Sequence, residues 1–328
     1  MMRLMLFEAA YRRISSQISD VEAQLELVLV GRDGTIHCRG LDLDPDTARP
    51  EAGWLSNDGV MGPAGRVMFA ALLKSDRLGW VQTGAAGVDN PVWRQLVDKG
   101  AILTTGHGQA ISIAEFVMGE VLSHFQRLPE RRAQQAARAW TPVPFREVAG
   151  THWLVVGFGA IGQAVAERAR GFGARVTAVR RSGEPHPLAE RIAPLSGVRE
   201  LLPEADVVVL ATPLNDVTRG MADAAFFAAM KPRSMLVNVG RGDLIDESAL
   251  LAALEAGVPE HAALDVFHEE PLPPDSPFWD HPRVRVNPHA SAFGDGQAAR
   301  NDTIFIENLR RRLLGAPLVY EADARDLG

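Results

Sequence analysis

Cysteine is almost missing from this 328-residue chain: Cys38 stands alone, which rules out an internal disulfide and a cysteine-built metal cluster. A lone cysteine suits a reducing compartment, so a cytoplasmic protein is expected. Long apolar runs are missing too, and none approaches the roughly 18 residues of a membrane span. Leu4 to Phe7 is too short for a secretory apolar core, and Glu8 and Asp20 interrupt the basic run of Arg3, Arg12 and Arg13. The start therefore reads as a strand entering a helix rather than a leader. Nor is there an excess of positive charge. Lys+Arg 34 against Asp+Glu 41 gives a net charge of -7, which argues against nucleic acid or an anionic membrane as partner. An anionic substrate would need a local group of cations. Internal repeats and low-complexity tracts are likewise missing.

What is present is a chain long enough for two domains, with an apolar content of 46% that supports a sizeable core. Apolar strand-like runs alternate with helical stretches, the pattern of parallel sheets covered by helices on both faces. The first run of strands is expected at residues 3–7, 25–30, 53–56, 80–83 and 102–104, with a helix over 63–74. Residues 31–49, rich in Asp, Gly and Pro, receive no assignment. A long helix is expected over 112–127, where Ile113, Phe116, Val117, Val121 and Leu122 recur at helical spacing. A charged helix follows over 129–138, then a turn-rich link at 140–144. Six further strands, at 153–156, 175–179, 207–211, 235–239, 262–265 and 284–286, would complete a doubly wound sheet. A last helix is expected over 302–314.

The sharpest motif is Gly157-Phe158-Gly159-Ala160-Ile161-Gly162, between a buried-strand pattern and a helix. Gly157 permits the tight turn, Gly159 lets the backbone approach a pyrophosphate, and Gly162 lets helix and strand pack closely. The helix start offers N–H groups and partial positive charge to the phosphates. Where the next strand ends, an acidic residue would hydrogen-bond a ribose 2′-hydroxyl; here Arg180-Arg181-Ser182 follows. Two guanidinium groups suit a 2′-phosphate, so NADP(H) is expected in preference to NAD(H), which stays possible. A glycine turn without ligand and solvated surface arginines are the plainer alternatives.

Three segments downstream each follow an expected strand: Asn238 to Gly242, Asp265 to Leu272, and Asn287 to Ser291. Such positions lie at the carboxyl edge of the sheet, where ligands bind. Reduction of a 2-keto acid needs a cation for the carboxylate and a proton donor for the carbonyl oxygen. Arg241 can supply the charge, His289 the proton, and Glu270 a carboxylate that orients the imidazole. Singly, each residue has an ordinary reading as salt bridge, loop cap or solvated charge; together, behind a dinucleotide loop, they point to one reaction.

At these residues the chain resembles the D-isomer-specific 2-hydroxyacid dehydrogenases, particularly the glyoxylate and hydroxypyruvate reductases. The matching segments are Ala86-Gly87-Val88-Asp89, Ile113-Ala114-Glu115, the glycine loop, Thr212-Pro213-Leu214, Asn238 to Gly242, Asp265 to Pro271, and Pro288-His289. The resemblance is specific from about Trp80 to Pro317 and weak before Trp80; residues 1–79 carry no family signature. The resemblance implies Arg241, Glu270 and His289 as the catalytic set, with Glu270 chosen because it precedes proline. It implies backbone N–H groups of Ala85, Ala86 and Gly87 on the substrate carboxylate. Asp265 would meet the nicotinamide carboxamide, and Thr212, Pro213 and Val239 would lie along the cofactor. It also implies two α/β domains: a discontinuous flavodoxin-like substrate domain (1–104 and 290–328) and a Rossmann cofactor domain (105–289). A homodimer through the cofactor domains would use the arm 112–150, with Trp140 reaching toward the partner's active site. No metal is implied. Asn215 departs from the threonine of many relatives. The product would be a small D-2-hydroxy acid where chiral. Two other readings stay open: a cofactor-sensing corepressor on the same fold, and a formate or phosphite dehydrogenase, against which Glu270 counts.

Overall fold

The computed structural model describes residues 1–60 and 62–327. Its chain divides into two units, Met1–Gln109 with Asp295–Gly328, and Ala110–Gly294. The crossings fall a few residues beyond 104 and 289. Among the described residues no helix is long and apolar enough to cross a membrane.

In the first unit, β1 (Met2–Phe7), β2 (Leu25–Val30), β3 (Ile36–Cys38), β4 (Leu41–Leu43), β5 (Ala52–Leu55), β6 (Trp80–Thr83) and β7 (Ile102–Thr104) form one sheet. Its order is β4-β3-β2-β1-β5-β6-β7. The strands from β2 to β7 in that order run parallel in the flavodoxin-like arrangement. β3 and β4 add an antiparallel hairpin to the edge, within the stretch left unassigned from sequence. Each is three residues long, too short to declare a period. The turn closes at Arg39 and Gly40, both at positive φ (51° and 77°), as tight hairpins require. His37 and Asp42 then face each other across the pair, 2.7 Å apart.

The C-terminal helix Gln297–Leu313 completes this unit. Phe305 stacks on Trp54 of β5, with ring centroids 4.0 Å apart, and on Trp80 of β6 at 5.6 Å. All three rings are fully buried. The helix begins earlier than expected because its polar first turns are buried in partnership. Asn301 accepts from the Gly108 N–H at 2.9 Å, and Asp302 accepts from Arg13. Asn308 is bonded to Gln82 and to the backbone of Val319.

The second unit holds β8 (His152–Val156), β9 (Arg175–Val179), β10 (Arg191–Ala193), β11 (Val207–Leu210), β12 (Met235–Asn238), β13 (His261–Leu264) and β14 (Val284–Val286). All run parallel in the order β10-β9-β8-β11-β12-β13-β14, the doubly wound dinucleotide-binding arrangement with a seventh strand. The strand that sequence reading missed, β10, is a three-residue edge strand with an exposed arginine. Successive residues feed opposite cores: Leu154, Val156, Val208, Leu210 and Leu236 one, Trp153, Val155, Val207, Val209 and Met235 the other. Helix Ala110–Phe125 packs Ile113, Val117 and Val121 into the second of these. Every residue of helix Leu128–Ala136, by contrast, is at least partly exposed.

Phe305→Ala should remove about 3–5 kcal/mol of stability, because a ring buried between two indoles leaves a cavity rigid strands cannot close. Urea denaturation followed by tryptophan fluorescence checks this; a change below ~1 kcal/mol would show that the site collapses.

Candidate functional site

Buried parallel strands place their polar loops at the carboxyl edge, and in the second unit the expected residues collect there. Gly157 follows β8, Arg180 follows β9, Thr212 lies just beyond β11, Arg241 beyond β12, Asp265 beyond β13 and His289 beyond β14. Adjacent strand ends are bonded in register, as in Ala211 N–H to Val156 O (2.7 Å), Val239 N–H to Leu210 O (3.0 Å) and Asp265 N–H to Asn238 O (3.0 Å).

The glycine loop has the shape of a cradle. Gly157 has φ 95°, and a Cβ there would stand 2.4 Å from Ala211 O. A Cβ at Gly162 would stand 2.1 Å from Gly157 O, so helix Ala160–Gly171 can lie against β8 only with glycine at this position. Gly159 faces open space. The backbone can thus be reached where a phosphate would need it, and the residues fit a dinucleotide. Phe158 is buried with its ring edge on His186, 5.2 Å between centroids, so it offers the loop a backbone rather than a side-chain contact. Thr212 and Pro213 are at least partly exposed, whereas Val239 is buried beside the strand end.

Arg180 is turned onto its own loop, donating to Ser182 O at 3.1 Å and to Glu184 O. Arg181 and Ser182 are exposed. The carbonyls occupy part of the Arg180 donor set, and Arg181 is the more exposed of the two arginines.

His289 sits in a left-handed backbone conformation, φ 50°, uncommon for a residue with a side chain. Asp265, only 2% exposed, holds it there. Its backbone carbonyl accepts the His289 N–H at 2.8 Å. Its carboxylate accepts from the Asn287 side chain, the Ala290 N–H (2.9 Å), the Ser291 N–H (3.0 Å) and the Ser291 hydroxyl. Asn287 and Ser291 were not singled out from sequence; only their place within the histidine segment hinted at them. Three of these bonds fall on Oδ1 and one on Oδ2, which leaves Oδ2 acceptor capacity for a further N–H.

Glu270 and His289 meet. Nδ1 of His289 lies 2.7 Å from Oε2 of Glu270, while Oε1 accepts the Phe267 N–H at 2.9 Å. The ring nitrogen away from Glu270, Nε2, is therefore the one placed for proton exchange, and the imidazole remains half-exposed. The Arg241 backbone is fixed by the Asn238 side-chain amide on its carbonyl (2.9 Å), and its guanidinium donates to Gly240 O at 2.8 Å.

Ala85, Ala86 and Gly87 follow β6 in the first unit. The Ala85 N–H is given to the Thr83 hydroxyl at 3.1 Å, so the backbone donors of Ala86 and Gly87 carry the expectation for a carboxylate. Asn215, the departure noted in sequence, shapes its loop by accepting from the Val217 and Thr218 N–H groups.

Comparison with known proteins agrees with this fold. A family model described as D-isomer specific 2-hydroxyacid dehydrogenase, NAD binding domain, matches residues 118–291. The chain is 34% identical over 264 residues to glyoxylate/hydroxypyruvate reductase B of Citrobacter koseri, covering 76% of this chain and 79% of that one. A D-isomer specific 2-hydroxyacid dehydrogenase family protein from Aeromonas salmonicida superposes with a TM-score of 0.77 at 29% identity, over 98% and 99% of the two chains. A D-isomer specific 2-hydroxyacid dehydrogenase from Xanthobacter autotrophicus Py2, solved with NADPH and MES, gives 0.77 at 26% identity over 98% of each.

The last two glycines of the loop should separate folding from binding. Gly162→Ala is expected to cost about 1–3 kcal/mol, because a backbone oxygen blocks the methyl group. Gly159→Ala should fold normally and bind the dinucleotide at least about tenfold more weakly, a loss of roughly 1.4 kcal/mol. Thermal denaturation with fluorescence titration tests both; unchanged affinity in Gly159→Ala would remove the loop from the binding site.

Proposed function

Since the chain belongs to the D-isomer specific 2-hydroxyacid dehydrogenase family, and is by that membership an NAD(P)-dependent oxidoreductase, we propose that it reduces a small 2-keto acid with NADPH. Glyoxylate and hydroxypyruvate are the proposed substrates, by likeness to the reductases named above. The observation that carries the reading is the His289–Glu270 pair, 2.7 Å apart, beyond β14 and β13, the second of which is paired with β12, the strand that leads to Arg241.

When bound, the reduced nicotinamide supplies the hydride that the substrate carbonyl carbon accepts. Arg241 holds the carboxylate and the oxygen on which charge develops, worth several kcal/mol where water is excluded. His289 gives the proton from Nε2 to that oxygen, leaving the 2-hydroxy acid. Glu270 fixes the ring through Nδ1 and balances its charge. In this reading the backbone of Ala86 and Gly87 also binds the carboxylate, and the unit 1–109 with 295–327 is the substrate domain. Gly157 to Gly162, Thr212, Pro213, Val239 and the remaining acceptor site of Asp265 hold the cofactor. Arg181, assisted by Arg180 and Ser182, receives the 2′-phosphate. Helix Leu128–Ala136 and the fully exposed Trp140 support a homodimer through the arm 112–150. Cys38, buried and without a disulfide, fits a cytoplasmic enzyme.

His289→Ala should lower kcat for glyoxylate by about 10²–10⁴-fold while leaving NADPH binding intact. Turnover close to wild type would refute the role. The charge-assisted contacts of Arg181 predict a Michaelis constant for NADPH about tenfold or more below that for NADH. Arg181→Ala should narrow that gap; a wild-type preference for NADH would overturn the cofactor assignment.

A further inference from the structure

Behind the residues assigned to the chemistry lies an ion-paired cluster that the mechanism does not use. Asp243 is two residues after Arg241, and His268 is two residues before Glu270. Nδ1 of His268 is hydrogen-bonded to Oδ1 of Asp243. The other oxygen of Asp243 accepts from Arg219 at 2.5 Å, and its backbone carbonyl accepts the Gly220 N–H at 2.8 Å. Glu247, on the helix after Asp243, accepts the His268 N–H at 2.8 Å. Between the two loops the backbones nearly touch: a Cβ at Gly242 would lie 1.9 Å from the carbonyl carbon of Phe267 and 2.3 Å from the His268 nitrogen.

Two loops meeting backbone to backbone have no side chain at Gly242 to key them together. Some other contact must set how one sits on the other, and the His268–Asp243 pair crosses that gap beside it. We propose that His268 and Asp243 form a latch that positions the Arg241 loop against the Glu270 loop, and that keto-acid turnover depends on it. The proposal rests on the assignment of Arg241 and Glu270 to the reaction. Neither latch residue is catalytic; both act through the residues they position.

The latch carries a charge signature. The hydrogen bond and then the charge of Asp243 raise the His268 pKa against the opposing effect of burial, and Glu247 and Glu269 add to the rise. Burial pushes the Asp243 carboxyl up, but bonds from His268 and Arg219 hold it below the usual range. A raised imidazole pKa means the latch is an ion pair below the ordinary histidine value and falls back to a neutral hydrogen bond as pH rises through the folded value. His268 is exposed, so protons reach it directly from solvent.

The test compares wild type, His268→Ala and His268→Asn with glyoxylate and NADPH across pH. The asparagine amide can donate to Asp243 but does not titrate. His268→Ala should lose roughly tenfold in kcat/KM, as expected for a small misplacement of reacting groups, with KM for NADPH and the thermal midpoint unchanged. His268→Asn should recover most of that loss. The wild-type to His268→Asn activity ratio should fall as pH rises, and His289, common to both, cancels from it. Equal kcat/KM in wild type and His268→Ala, a flat ratio, or a loss accompanied by lower stability and weaker NADPH binding would overturn the latch. A wild-type protein inert toward glyoxylate, hydroxypyruvate and other keto acids would overturn the proposed reaction, and the latch with it.

Discussion

Glu270 divides its two carboxylate oxygens between the amide of its own turn, at Phe267, and the ring of His289. The first bond immobilises the carboxylate before it meets the imidazole; the second fixes which nitrogen faces outward. A side chain held at one point could swing and leave the ring orientation undetermined. Held at two, it transmits the position of the loop after β13 directly to the residue after β14. The arrangement needs the histidine to arrive from a left-handed backbone, and Asp265 secures that by gathering Asn287, Ala290 and Ser291 around one buried carboxylate. A buried charge is tolerated only with such partners, so the loop and the carboxylate stabilise each other.

The strands with strong apolar runs were legible from sequence to within a residue or so, because burial on both faces demands continuous hydrophobic segments. The glycine loop was legible for the same kind of reason: Gly157 and Gly162 face backbone atoms that admit no Cβ. What escaped were elements fixed by partners outside their own short segments. β10 is a strand because Thr177 to Val179 offer it an edge, and the hairpin β3–β4 because β2 does. The early start of the last helix follows from Asn301 and Asp302 finding Gly108 and Arg13. At the site, Arg241, Glu270 and His289 stood out through their motif segments. The part of Asn287 and Ser291 did not, since hydrogen bonds to Asp265 leave no periodic trace.

The second sheet also explains why the candidate site residues are confined to one edge. Alternate residues of β8, β11 and β12 enter two different apolar cores, so neither face can hold a charged ligand. Polar groups are excluded from the strand bodies and accumulate where the strands end. Each loop can then vary in composition while the strand beneath keeps its register. That is how a glycine turn, an arginine, a glutamate and a histidine, drawn from four strand ends, come to share one surface.

The stacking of Phe305 between Trp54 and Trp80 bears on how the chain is made as well as how it is held. The first unit is opened by the N-terminal strands and closed by a helix that begins at Gln297. During synthesis, the whole of the second unit is translated while the sheet β4-β3-β2-β1-β5-β6-β7 still lacks the helix that covers its tryptophans. Domains fold as units as they emerge, and contacts closed across a long loop form late. The unit translated first is therefore completed last, and until then two indole faces await a ring that the ribosome has yet to deliver.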